Sequence, residues 1–218
     1  MLDIDFARVS LGFLGLLVLL FSLTVHEAAH AWSADRLGDS TASMRGRVSL
    51  NPAVHVDPIG TILFPLMALL TSLPLIGWAK PVAVDVRNLN GNWRLKFVAI
   101  AVAGPASNVV IAVVAALVLR IVGLGDLEFT PAGRVTSQLK VLLEMAVVVN
   151  ILLAIFNMVP VPPLDGGNVV SGLLRGVAAE TFERVRPYGV IIVYGLMFTG
   201  TLSPIITPPA SFLLSWLL

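Results

Sequence analysis

The chain of 218 residues contains no cysteine, and this absence removes two classes of site. A disulfide framework is excluded, and so is any metal site built on thiolate ligands. Any zinc ion bound by this chain must therefore be held by histidine and carboxylate side chains.

Charged residues are also scarce, at 12% of the chain, whereas hydrophobic residues make up 57%. The 14 lysines and arginines nearly balance the 13 aspartates and glutamates, so no basic surface points to nucleic acid. This composition is typical of an integral membrane protein. We expect one membrane domain over residues 1–218, with a core at about 9–178 and C-terminal membrane segments at 179–218.

An H-E-x-x-H motif, running from His26 to His30, closes the first long apolar run, and Val9–Val25 before it carries no charge. Residues four apart share one face of a helix, so His26 and His30 can both offer an imidazole to one metal ion. Glu27 can then reach a metal-bound water as general base. Such groups normally face a bundle interior or a water-filled cavity. A chance occurrence of the five-residue motif is the alternative.

The apolar runs predict an all-α membrane protein, a polytopic helical bundle with spans at about Val9–Arg36, Trp93–Gly123 and Ser137–Met158. Prolines interrupt the apolar segment Thr61–Trp78. The next segment, Trp78–Arg87, alternates and is rich in β-branched residues, so it predicts a short β element near the active site.

A third metal ligand must reach the same side of the membrane as the two histidines, and Asp165 is the best candidate. It follows a proline-rich stretch of irregular backbone, which membrane proteins tolerate only where it is buried in protein or lines a cavity. A turn-forming or N-capping aspartate is the alternative. If Thr61–Trp78 crossed fully, Asp165 would arrive on the opposite side. We therefore expect Thr61–Trp78 to be a re-entrant segment.

This topology predicts how the positive charges divide between the two sides of the membrane. Ten lie on the side of the metal motif and four on the other, which favours a cytoplasmic active site in a multi-pass protein of the cell (inner) membrane. The ten are Arg36, Arg45, Arg47, Lys80, Arg87, Arg94, Lys96, Arg175, Arg184 and Arg186; the four are Arg8, Arg120, Arg134 and Lys140.

Two further polar residues allow two interpretations each. His55 lies in the loop that returns to the membrane, where it makes a local hydrogen bond or has a second-shell or substrate-gating role. Asn108 lies at membrane depth in the second span, where it makes an interhelical hydrogen bond or belongs to the active site.

Three motifs in this order resemble the site-2 protease family of intramembrane zinc metalloproteases. They are the H-E-x-x-H motif, Gly104-Pro105-x-x-Asn108, and Asn157-x-x-Pro160 leading to Leu164-Asp165-Gly166. The resemblance implies one Zn²⁺ per chain, held by His26, His30 and Asp165, with Glu27 as the catalytic base. It also implies that Asn157 helps to hold the substrate backbone or the site geometry. The stretch around His55 is similar to small prokaryotic members, which lack PDZ and CBS domains.

The resemblance implies an endopeptidase that cleaves peptide bonds in or near transmembrane segments, so its partners are a transmembrane protein substrate and the lipid bilayer. An extended substrate is expected to pair with the edge Lys80–Val86. A non-catalytic metal-binding scaffold or transporter is the alternative. Transporters often contain internal repeats, and the sequence shows broken segments but no repeat. An inactive homologue is disfavoured because the expected reactive residues are present.

Overall fold

The computed structural model describes residues 6–71, 78–122 and 131–218, and most of these residues are helical. A π-helical segment, Pro58–Leu63, leads into α3, and short 3₁₀ turns cover Pro52–Val54, Val86–Asn88 and Arg186–Tyr188. The α-helices are α1 (Phe6–Leu37), α2 (Thr41–Met44), α3 (Phe64–Thr71), α4 (Trp93–Val122), α5 (Pro131–Asn157), α6 (Asp165–Leu173), α7 (Gly176–Val185), α8 (Gly189–Phe198) and α9 (Ser203–Leu217).

Among the described residues, three helices are long and apolar enough to cross a membrane: α1 over Ser10–Leu37, α4 over Trp93–Ile121 and α5 over Gln138–Asn157. A fourth crossing is available if the helices of Gly176–Phe198 and Ser203–Leu217, bent by 76°, form one span. The prediction of an all-α, multi-pass membrane protein is thus confirmed, and the three predicted spans coincide with α1, α4 and α5.

The segment predicted to be re-entrant contains a shorter apolar helix, Pro58–Met67. A crossing needs about 20 residues, so this helix is too short to span a bilayer alone. The predicted segment also includes residues 72–77, which lie outside the described residues. The turn back toward the metal side therefore stays a prediction.

The strand predicted within Trp78–Arg87 is absent from the described part of the chain. Residues 78–85 have no regular secondary structure, because their backbone bonds to loops rather than to a partner strand. Lys80 N donates to His55 O at 2.8 Å, and Asp85 N donates to Asp39 Oδ2 at 2.7 Å. The prediction of a β element was therefore wrong: the alternating β-branched residues belong to an extended segment that faces the cavity and has no partner strand in the described structure.

The last helix, α9, runs continuously from Ser203 to Leu217 through two adjacent prolines, Pro208 and Pro209. Prolines are tolerated in membrane helices, where neighbouring helices and local adjustments compensate for the lost backbone hydrogen bonds.

Helix α4 is the centre of the bundle and packs against α1, α5 and α6. Its contact with α5 and α9 is made largely by small residues, which let helices approach closely in a membrane. Buried members of this cluster are Ala112, Ala115, Ala116, Val147, Ile151 and Ala210. Because α4 touches both α1 and α6, it holds the H-E-x-x-H motif against the start of α6.

The C-terminal end of α1 is fixed by Gly38 and Asp39. Gly38 has φ of +115°, a conformation that favours glycine, and it follows the last residue of the helix. Burial alone would raise the pKa of Asp39, but hydrogen bonds from Asn88, Thr41 and the Asp85 backbone outweigh it and lower that pKa. The buried carboxylate thereby ties the end of α1 to residues 85–88.

Candidate metal centre

The two histidines of the motif lie one turn apart on the buried face of α1. His26 is 4% exposed and His30 is 7% exposed. Their Nε2 atoms are 3.1 Å apart, and their rings meet edge to face. The helical spacing predicted by the sequence is confirmed.

Asp165, the first residue of α6, brings its carboxylate to both histidines across 135 residues of chain. Its Oδ2 lies 3.1 Å from His26 Nε2, and its Oδ1 lies 3.2 Å from His30 Nε2. A Cβ added to Gly166 would lie 2.5 Å from both Met158 C and Val159 O. The glycine that follows Asp165 is therefore needed for α6 to start this close to the preceding turn.

Hydrogen bonds on the far side of each ring determine which nitrogen faces the cluster. His26 Nδ1 lies 2.6 Å from Asn108 Oδ1, and His30 Nδ1 lies 2.7 Å from the carbonyl oxygen of Ile100. Both partners are acceptors, so each Nδ1 is the donor. A neutral imidazole that donates through Nδ1 carries its lone pair on Nε2.

This arrangement fits a metal ion. Two Nε2 lone pairs and a carboxylate converge, and such groups repel one another unless a cation lies between them. Ligands of a tetrahedral zinc ion lie about 3.3 Å from one another, given metal–ligand distances of about 2.0–2.1 Å. His26 Nε2 and His30 Nε2 are 3.1 Å apart, and each lies 3.1–3.2 Å from a different oxygen of the Asp165 carboxylate. The three residues are therefore close enough to hold one ion together, and a tetrahedral ion held this way would have a fourth position for water.

Gly104 of α4 makes room for the two rings. A Cβ at this position would lie 2.6 Å from His26 Nε2 and closer still to His30 Nε2. A side chain larger than hydrogen would therefore clash with both imidazoles at the nitrogens that face the cluster. The sequence places Gly104 in a motif, but only the structure shows which neighbours require the space.

Glu27 lines the same cavity as the three candidate ligands, a space of about 260 Å³. It is 8% exposed, and within the described part of the chain its Oε2 has no hydrogen-bond partner. Leaving a buried carboxylate oxygen without a hydrogen-bond partner costs free energy and brings no structural benefit. A free oxygen is useful, however, in a carboxylate that must accept a proton from a water molecule.

A buried polar network that the sequence does not predict lies behind His26. Asn108 Oδ1 accepts a hydrogen bond from His26 Nδ1, and Asn108 Nδ2 donates to Asn150 Oδ1 at 2.8 Å. Asn150 in turn donates to Ser22 Oγ at 2.8 Å. All three network residues are fully buried. Asn108 therefore makes the interhelical hydrogen bonds of the first interpretation, to α1 and to α5. Its contact with His26 supports the active-site interpretation, which stays a prediction.

The other two predicted site residues, Asn157 and His55, make no hydrogen bond to the three candidate ligands within the described structure. Asn157 lines the cavity, but its side chain donates to Leu153 O of its own helix at 3.0 Å. His55 is 2% exposed and its Nε2 lies 2.8 Å from Ser49 O, the local hydrogen bond of the structural interpretation. The described wall of the cavity does not include His55. A direct role in gating remains without a contact to support it.

Comparison with known proteins places this site in a family. The profile of peptidase family M50 matches residues 121–200. YwhC of Bacillus subtilis (strain 168), named as a candidate zinc metalloprotease, is 32% identical over 88% of this chain and 83% of that protein. The chain belongs to peptidase family M50. Rip2 of Mycolicibacterium smegmatis, with the same designation, is 29% identical to this M50 chain over 88% of it and 71% of Rip2. No solved structure matches the chain.

Membership of peptidase family M50 and the His-His-Asp cluster together identify the chain as a zinc metalloprotease. Carboxylate and imidazole donors without sulfur also agree with the expectation drawn from the missing cysteines.

The hydrogen bond from His26 to Asn108 predicts a measurable effect on metal affinity. Replacing Asn108 with alanine removes the acceptor that fixes the His26 tautomer, so zinc affinity should fall by about 10-fold to 100-fold. Competition with a chromophoric chelator measures this. The matched control is Asn157→Ala, whose side chain donates its hydrogen bond within its own helix and which should bind zinc as the unaltered protein does. Equal affinities for both variants would contradict the orienting role of Asn108.

Proposed function

We propose that this zinc metalloprotease is an intramembrane endopeptidase that hydrolyses peptide bonds in or near transmembrane segments of other membrane proteins. The observation that carries the proposal is the position of the metal cluster. His26, His30 and Glu27 belong to a helix long and apolar enough to span a membrane, and all three are buried. Regulated intramembrane proteolysis, the activity implied by the resemblance to site-2 proteases, requires a site built into such a helix.

In this proposal His26, His30 and Asp165 hold one zinc ion. When bound, the ion lowers the pKa of its water and polarises the scissile carbonyl. Glu27 accepts the proton of the attacking water and then delivers it to the nitrogen of the leaving amine. Asn108 and the Ile100 carbonyl keep the two imidazoles in the tautomer that ligates through Nε2.

The substrate is proposed to bind as an extended strand along residues 80–86. Val82 and Val84 line the cavity beside the metal cluster. In the described structure, the backbone N–H and C=O groups of Val82, Ala83 and Val84 make no hydrogen bond. An incoming extended peptide could pair with these free groups by β-augmentation. The absence of a partner strand, which overturned the β-strand prediction, thus supports a docking edge.

The active site is proposed to open toward the cytoplasmic side of the inner membrane. The support is the distribution of positive charge, ten residues against four, taken together with the re-entrant turn that the sequence predicts for Thr61–Trp78. The same proposal treats residues 1–218 as one membrane domain.

Glu27→Gln tests the catalytic assignment. The amide cannot act as the base, so cleavage of a single-span model substrate by purified protein should become undetectable, while zinc content stays at one ion per chain. Cleavage by the unaltered protein should stop on addition of a zinc chelator and return with zinc. Undiminished cleavage by a zinc-loaded Glu27→Gln variant would contradict the assignment of Glu27 as the general base. Zinc binding without any cleavage by the unaltered protein would favour the scaffold or transporter alternative.

Docking on residues 80–86 predicts a site-specific disulfide cross-link to the substrate. Because the chain has no native cysteine, an introduced cysteine is the only thiol of the protein that can react. With Val82→Cys in the inactive Glu27→Gln background, a substrate carrying one cysteine near its scissile bond should form a disulfide with the protein. Val190→Cys on the exposed face of α8 is the control and should not react. Non-reducing electrophoresis measures the product. Equal yields at both positions would argue against docking on this edge.

A further inference from the structure

Arg47, in the loop after α1, turns its charged side chain inward toward Glu27 of α1. It is 6% exposed. Its Nη1 donates to Val54 O at 2.7 Å, and its Nη2 donates to Lys80 O. The guanidinium is therefore fixed between the loop and the start of the 80–86 edge.

Two neutral carbonyls do not neutralise a buried positive charge. Glu27 is the carboxylate within ion-pair distance of Arg47 in the described structure, with Nη2 3.9 Å from Glu27 Oε2. Their side chains are only 8% and 11% exposed, so the attraction is weakly screened. Removing one member of a buried pair leaves the other charge uncompensated.

Buried polar atoms without hydrogen-bond partners also support an interaction between Arg47 and Glu27. Among the described side chains, Glu27 Oε2 and Arg47 Nε are both buried without a hydrogen-bond partner. At 3.9 Å the pair attracts but does not form a hydrogen bond. The carboxylate is thus held by charge while its oxygen stays free for a proton from water, as the reaction of a general base requires.

We propose that Arg47 is a positioning residue that holds the Glu27 carboxylate and fixes it relative to the edge on which the substrate docks. The described wall of the cavity does not include Arg47, so it acts through Glu27 and Lys80 and not on the substrate. The same guanidinium contacts both, which sets the general base at a constant distance from the docked peptide. This proposal rests on the assignment of Glu27 and of the 80–86 edge under the proposed function.

Kinetics of Arg47→Met and Arg47→Lys test the proposal. Arg47→Met should lower kcat by roughly 10-fold to 100-fold, because a displaced base loses its alignment. Arg47→Lys should restore part of kcat, since an ammonium keeps the charge but cannot reach both carbonyls and Glu27. The matched control is Arg45→Met, at an exposed position two residues earlier, which should leave both kcat and KM unchanged. A rise in KM with unchanged kcat in both Arg47 variants would mean that Arg47 only stabilises the loop and does not position Glu27. That result would overturn the proposal.

A double-mutant cycle on thermal unfolding supplies a readout that needs no activity. Arg47→Met should lower the melting temperature more when Glu27 is present than in the Glu27→Gln background, because only the former leaves a buried carboxylate unpaired. Arg47→Lys replaces Arg47→Met in the cycle if the latter cannot be purified. Equal losses in both backgrounds would overturn the Arg47–Glu27 coupling. Absence of cleavage by the unaltered protein would instead refute the proposed function and leave the cycle interpretable.

Discussion

The structure depends on one electrostatic constraint: two imidazole lone pairs and a carboxylate point at one position inside a helical bundle. Without a cation these groups repel one another, and their burial is costly. The Nε2 and carboxylate atoms of His26, His30 and Asp165 nevertheless lie 3.1–3.2 Å apart. The surrounding structure maintains this convergence: Asn108 and Ile100 orient the rings, and Gly104 keeps the metal position clear.

Helix α4 links the metal centre to the rest of the bundle. It supplies the Asn108 amide, the Ile100 carbonyl and the space above Gly104, and it packs against α1, α5 and α6. The candidate ligands themselves lie on α1 and α6. Helix α4 carries none of them, yet its Asn108 and Ile100 orient both imidazoles.

Much of this site could be predicted from sequence because its signals are local or composed of distinctive residues. The H-E-x-x-H spacing fixes His26 and His30 on one helical face, and an aspartate in proline-broken backbone at the membrane boundary needs an unusual explanation. Arg47 and Asn150 had no such signal. An arginine in a polar loop is ordinarily solvated, and its inward direction depends on where the Val54 and Lys80 carbonyls lie. For residues 80–86 the sequence signal was present but the prediction of a strand was wrong. The alternation indicates a side that faces the cavity, but it does not indicate whether a partner strand exists.

The central claim is that His26, His30 and Asp165 share one zinc ion. An anomalous-scattering map recorded at the zinc edge from crystals of the zinc-loaded protein tests it most directly. The claim predicts one peak per chain at about 2.0–2.2 Å from His26 Nε2, His30 Nε2 and an Asp165 carboxylate oxygen. A peak bound by the histidines with Asp165 turned away, or no peak between them, would contradict it.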